Sequence, residues 1–287
     1  MTLPPVFDAH LHLQPWHMLH PAVHERLWHG RPDAETILAM ARDPGRLLRF
    51  LDDEGIETAV LVNYVSPEVM GFTEEANAWI VRYVRGHEDR LIAVGSVHPR
   101  TSRDPEGDAE RLAAAGIRML KLHPPHQLVR ANEYLDGLES QRRIYAAAAA
   151  LDLPLLVHTG TSIFPGARNR YADPMPLDDV AVDFPSLRIV LAHGGRPLYM
   201  DTCFFLLRRH ANIWMDLSGI PPRALLEYFP KLESVAAKVL WGTDWPAPGV
   251  PSPRRNAEVF WSLPLTEESK RRILRDNARA FFRLEAR

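Results

Sequence analysis

Pro154-Leu-Leu-Val-His-Thr-Gly160 and, one helical stretch later, Arg188-Ile-Val-Leu-Ala-His-Gly-Gly195 carry the reading of the fold. Each is a short run of branched apolar residues that stops on a histidine followed closely by glycine. Runs of this length, separated by longer helical patterns, have the rhythm of parallel βα units. The same signal recurs at Val6–His10, Thr58–Asn63, Leu91–Val97, Ile117–Leu122, Ile213–Leu217 and Lys238–Gly242. With Pro154–His158 and Arg188–His193, these runs predict eight strands.

The punctuation between the runs agrees. Asp43-Pro44, Asp104-Pro105 and Ser252-Pro253 each set a capping side chain before a proline suited to a first helical turn. Gly55 and Gly116 fall where a helix should stop ahead of the next strand. Gly137–Leu151, with alanine from Ala146 to Ala150, is a strong helix former, and Thr266–Leu284 reads as a last amphipathic helix. No composition break divides the 287 residues. The expectation is one domain over residues 1–287, an α/β fold of the single (β/α)8 TIM-barrel type, whose usual size is roughly 250 residues plus loops. Two long connections, Leu13–Arg42 and Thr159–Pro176, follow the first and fifth runs and belong to the active-site face.

Net charge is −2 with both signs interspersed, which leaves no electrostatic footprint for nucleic acid or an acidic membrane. The N-terminal stretch from Met1 to His10 carries neither a basic segment nor an apolar one of the secretory kind. No run reaches the 18 or so apolar residues that a membrane helix needs. The single cysteine, Cys203, lies in an apolar run and reads as a buried small hydrophobe in a reducing compartment. A cytoplasmic enzyme acting on a small molecule is expected, without nucleic-acid or membrane partners; a homo-oligomer is compatible with the composition.

Potential ligands cluster at the C-terminal ends of the runs. The first ends in His10-Leu-His12, whose two imidazoles point the same way on an extended strand. The fourth ends in Lys121-Leu-His123, the fifth in His158, the sixth in His193, and the eighth runs into Asp244. A lone strand-end histidine is ordinarily structural, and an Asp after Gly-Thr is often only a turn residue. Five such ends on one closed barrel, however, converge on a single mouth. Histidines and a carboxylate suit Zn²⁺, with Mn²⁺ an ion the same set accepts, in one or two copies. A bound metal can lower the pKa of water from 15.7 to about 7.

The ordered phrases Phe7-Asp-Ala-His-Leu-His12, Lys121-Leu-His-Pro124, Val157-His-Thr-Gly160, Ala192-His-Gly-Gly195, Met215-Asp-Leu-Ser-Gly219 and Gly242-Thr-Asp-Trp-Pro246 resemble the amidohydrolase superfamily, in its amidohydrolase-related (amidohydrolase-2) branch. The resemblance covers nearly the whole chain. It implies that His10, His12, His158 and Asp244 contact the metal. His193 would be a ligand of a second ion or a general base, and Asp244 would take the proton of the hydrolytic water. Lys121 matches a lysine that some members carry as a carbamate bridging two metals; unmodified, it could bind a substrate carboxylate.

Lining roles are expected for His123, Arg168, Arg170, Arg196 and Trp245, and for part of the group Trp16, His17, His20, His24, Trp28 and His29. His123 and His126 flank Pro124-Pro125 near the mouth and read as support for the ligands. The expected activity is hydrolysis of a small ester, lactone or amide by metal-bound hydroxide, on a substrate that could itself bear a carboxylate. The alternative is non-oxidative decarboxylation of an aromatic or unsaturated carboxylic acid, because relatives in the branch catalyse it.

Overall fold

In the computed structural model, which describes residues 3–247 and 249–284, the eight runs form eight parallel strands. They are β1 (Val6–Leu11), β2 (Ile56–Leu61), β3 (Leu91–Gly95), β4 (Met119–Leu122), β5 (Leu155–His158), β6 (Ile189–Ala192), β7 (Ile213–Asp216) and β8 (Val239–Leu240). Neighbours in the sheet are neighbours in the chain, with helices in between. This is a (β/α)8 TIM barrel.

β8 is only two residues long, so closure runs through the chain just beyond it. Ala9 N–H donates to the Trp241 carbonyl at 2.8 Å, Asp244 N–H to the His10 carbonyl at 2.8 Å, and His12 N–H to the Trp245 carbonyl at 2.7 Å. The buried Asp8 carboxylate reinforces the seam by accepting from Thr243 Oγ1 at 2.6 Å and Thr243 N–H at 3.0 Å. The seam leaves no room for a side chain at Gly242, where an added Cβ would lie 2.7 Å from His10 Cβ.

The predicted caps form: Asp43 accepts from Gly45 N–H, Asp104 from Gly107 N–H and Ser252 from Arg255 N–H. Gly55 and Gly116 take φ of 70° and 94°, the left-handed geometry a helix stop uses. The C-terminal helix differs from expectation, being interrupted by a π-helical turn at Arg272–Asp276. Leu13–Arg42 is no open loop either, since it holds helical turns at Trp16–Met18, Pro21–Trp28 and Ala34–Met40.

One large apolar layer joins the strands to the surrounding helices. A second cluster fills the barrel with Val60, Val94, Met119, Leu156, Val190 and Leu240, and Phe281 and Phe282 plug its N-terminal end. Two residues beyond Met119 and Leu156, on the same strand faces, come Lys121 and His158. The apolar filling therefore gives way to polar chemistry at the C-terminal mouth. Among the described residues no helix is long and apolar enough to cross a membrane.

Candidate metal centre and active site

β1 delivers His10 and His12 together, with their Nε2 atoms 3.3 Å apart. The other nitrogen of each ring fixes its proton. His10 Nδ1 lies 2.8 Å from a buried Asp216 carboxylate oxygen, and His12 Nδ1 lies 3.1 Å from the Val62 carbonyl. Neither partner can donate, so both Nδ1 atoms carry hydrogen and both Nε2 atoms present lone pairs. Asp244 Oδ1 completes the group, 3.2 Å from His12 Nε2 and 3.7 Å from His10 Nε2.

Three acceptor atoms thus face one another without a proton to separate them. A shared proton would relieve one pair only. A cation at their centre would relieve all three, and tetrahedral Zn²⁺ at 2.0–2.1 Å from its ligands holds them about 3.3 Å apart. The residues present fit a divalent metal.

His193 joins the same space, since single ligand atoms of His10, His193 and Asp244 lie within 4.8 Å of one another. Its Nδ1 faces the Ser218 carbonyl at 3.1 Å, which turns the Nε2 lone pair outward. Both His193 and Asp244 sit at φ of 66°, left-handed conformations that non-glycine residues adopt only when surrounding contacts hold them. For Asp244 that contact is its N–H bond to His10 across the seam; for His193 it is N–H donation to Asp216 Oδ1 at 3.0 Å.

Burial keeps the rings of His10, His158 and His193 neutral, below the ordinary histidine range, despite the Asp216 charge beside His10. Burial also pushes the Asp244 carboxyl up, but its polar surroundings, the His12 and His10 rings and the Arg196 guanidinium, outweigh it and hold the group at about 2. A neutral imidazole set around an ionised carboxylate is the protonation state that metal ligation requires.

Lys121 is fully enclosed, its Nζ has no hydrogen-bond partner, and burial brings it down to about 8. His158 Nε2 is likewise buried and unpartnered. Arg196 donates from Nη2 to Asp244 Oδ2 at 3.2 Å. Its guanidinium lies over Gly219, where a Cβ would come within 2.3 Å of it.

A cavity opens from this cluster and takes in His12, Lys121, His123, His158, Arg196 and Asp244. Along its side, His123 stacks between His126 and His158 with ring centroids 3.5 and 3.9 Å away. His126 faces the Tyr64 hydroxyl at 3.0 Å and Ser162 Oγ at 2.7 Å.

Three expected lining residues lie elsewhere. Trp245 is buried away from the cavity and stacks on Phe50 at 4.5 Å, because the residue after Asp244 turns to the opposite side of the chain. Arg168 and Arg170 are exposed on the connection after β5, where Arg170 lies over the Tyr171 ring. Of the aromatic group after β1, Trp16 and Trp28 line the cavity. His20 bonds the Pro67 carbonyl, and His29 pairs with Glu25 at the surface. His17 and His24 line a separate outer groove.

Sequence reasoning passed over two residues that organise the site. Asp216, at the end of β7, accepts from His10 Nδ1, His193 N–H and Ser218 N–H and Oγ–H. Tyr64 stands just beyond β2 in the cavity wall. Asp216 had a legible signal, a carboxylate closing a strand-like run as His158 and His193 do.

A family model described as amidohydrolase matches residues 7–284. The chain therefore belongs to the amidohydrolase family, in its amidohydrolase-2 branch, a family of metal-dependent enzymes. No curated protein sequence matches it. Among solved structures, an uncharacterized TIM-barrel protein from Bordetella bronchiseptica superposes with a TM-score of 0.74 at 21% identity, over 97% of this chain and 98% of that one. A probable 2-pyrone-4,6-dicarboxylic acid hydrolase from Acinetobacter baumannii, with citric acid bound, gives 0.70 at 16% identity over 98% and 100%. A 5-carboxyvanillate decarboxylase from Novosphingobium aromaticivorans, with manganese and 3-methoxy-4-hydroxy-5-nitrobenzoic acid bound, gives 0.67 at 17% over 98% and 97%.

Proposed function

We propose that this enzyme hydrolyses a small ester, lactone or amide, using a divalent ion held by His10 Nε2, His12 Nε2 and Asp244 Oδ1, with His158 and His193 facing the same space. The observation that carries the reading is the unprotonated meeting of those three acceptor atoms at 3.2–3.7 Å. When bound, the ion supplies polarisation of a carbonyl and a lowered pKa for water. Zn²⁺ is the first choice for a nitrogen-rich set, and Mn²⁺ the second, as in the decarboxylase from Novosphingobium.

The chain's own residues divide the remaining tasks. Arg196 holds Asp244 through Oδ2 and so orients the carboxylate that would take a proton from the incoming water and pass it to the departing group. His193, neutral with its Nε2 outward, is placed to accept from that water or from substrate. Lys121 offers an unpartnered amine to a substrate oxygen beside the site. At about 8 its pKa also leaves an appreciable free-amine fraction, the form that reacts with CO₂ to give a carbamate. That modification would permit a second ion.

Decarboxylation stays as the second reading, favoured by the pairing of Lys121 and Arg196 donors, which could grip a carboxylate next to the ion, and by the decarboxylase among similar folds. The test is a panel of lactones, aryl esters and hydroxybenzoates, followed for acid production and for CO₂ release with Zn²⁺ or Mn²⁺ added. Acid without CO₂ is expected. CO₂ with no hydrolysis of any ester or lactone would reverse the ranking. His10→Ala should lose bound metal and nearly all turnover, and full metal occupancy in that variant would remove His10 from the site.

A further inference from the structure

Apart from the imidazole nitrogens His123 Nδ1 and His158 Nε2, the unpartnered buried polar atoms of the residues around the cavity are donors. Gln14, Trp16, Trp28, Lys121 and Arg196 all line it, and each carries a hydrogen-bond donor (Nε2, Nε1, Nε1, Nζ and Nε in turn) that is buried without a partner among the described residues. Buried donors are ordinarily satisfied, so each orphan marks a place where an acceptor is missing. The donors fall into two groups. Lys121 and Arg196 are cationic and belong to the metal end. Gln14, Trp16 and Trp28 come from the segment after β1, and the two indoles meet edge to face with centroids 5.3 Å apart. Leu27, Met70 and Phe164 supply apolar wall.

One cation of the segment after β1, Arg31, also lines the cavity, but Asp33 takes it in a two-point ion pair, with Nε at 2.7 Å and Nη2 at 3.1 Å, and its Nη1 donates to the Pro246 carbonyl. A second carboxylate there would meet hydrogen-bond donors without a free counter-charge, which is poor compensation for its lost hydration.

We propose that Gln14, Trp16 and Trp28 form a specificity subsite for an uncharged acceptor oxygen, a carbonyl or ether group, borne by the substrate away from its reacting end. The substrate class is therefore a small acid or ester whose anionic or reacting group meets Lys121, Arg196 and the ion, whose middle is flat and apolar, and whose far end carries a neutral oxygen. This rests on reading the cavity as the substrate pocket; it does not require that the reaction be hydrolysis.

The test is equilibrium binding by calorimetry to the metal-loaded protein, which needs no turnover and so stands apart from the reaction assignment. The probes are benzoate, 3- and 4-acetylbenzoate, the isosteric 3- and 4-ethylbenzoates, and isophthalate and terephthalate. One acetylbenzoate should bind about tenfold tighter than its ethyl counterpart and tighter than the matching dicarboxylate, the size of one well-made hydrogen bond to an otherwise orphaned donor. In Gln14→Leu, Trp16→Phe and Trp28→Phe the acetyl preference over the ethyl probe should shrink at least in part. Equal binding of acetyl and ethyl probes, a preference unchanged in all three variants, or tighter binding of a dicarboxylate would overturn the proposal.

Discussion

Asp216 touches no ion site directly, yet its carboxylate decides which nitrogen of His10 keeps its proton. A carboxylate behind a ligating histidine raises ligand basicity and locks the ring, and removing such a partner typically costs 10–100-fold in metal affinity. Asp216→Asn should therefore fold and still bind metal, but with affinity lowered by about that factor in a chelator competition. An unchanged affinity would mean that His10 is held by packing alone. At this scale the sequence was legible wherever side-chain parity decides direction. His10 and His12, two apart on one strand, do converge, whereas Trp245, one residue past Asp244, turns away onto Phe50. Arg168 and Arg170 were not legible, because a connecting segment's attachment to the barrel says nothing about where its exposed side chains point.

Among the elements, the seam between β1 and the chain past β8 carries the most consequence. It brings Asp244 N–H to His10 O and leaves only van der Waals space at Gly242, so ligand geometry and barrel closure are one structural fact. Gly242→Ala places a methyl 2.7 Å from His10 Cβ, closer than packed atoms tolerate. The expected outcome is a folded protein destabilised by about 1–3 kcal/mol in urea unfolding, with metal affinity reduced alongside. Retained stability and full metal binding would show the seam to be pliable. All eight strands could be read from branched-apolar runs, because a parallel barrel buries both faces of each strand. The helical turns within Leu13–Arg42 could not, since they are short and are held by tertiary contacts rather than by a repeating apolar face.

For the whole molecule, the concentration of buried neutral histidines at the mouth sets the response to acid. Burial lowers His126 to about 3, and His10, His123, His158 and His193 are also held below the ordinary value of 6.5. Below pH 6.5 the unfolded chain takes up protons that these native rings refuse, so stability falls as pH drops toward 3. The slope is about 1.4 kcal/mol per pH unit for each such ring. Urea midpoints of metal-free protein, measured from pH 8 to pH 5, should decline steeply below pH 6.5; a flat profile would contradict neutral buried rings. Fold and family were legible from the chain as a whole, since the candidate ligands sit at strand ends that only a closed barrel unites. Substrate identity was not, because the cavity wall is assembled from distant segments such as Trp28, Tyr64 and Phe164.

In the proposed site His10, His12 and Asp244 close around one divalent cation. Anomalous diffraction at the zinc and manganese edges, on crystals grown with each ion, tests it directly. A peak is expected about 2.0–2.2 Å from both Nε2 atoms and from Asp244 Oδ1. A mouth without any peak at saturating ion, or an ion bound away from these three atoms, would contradict it.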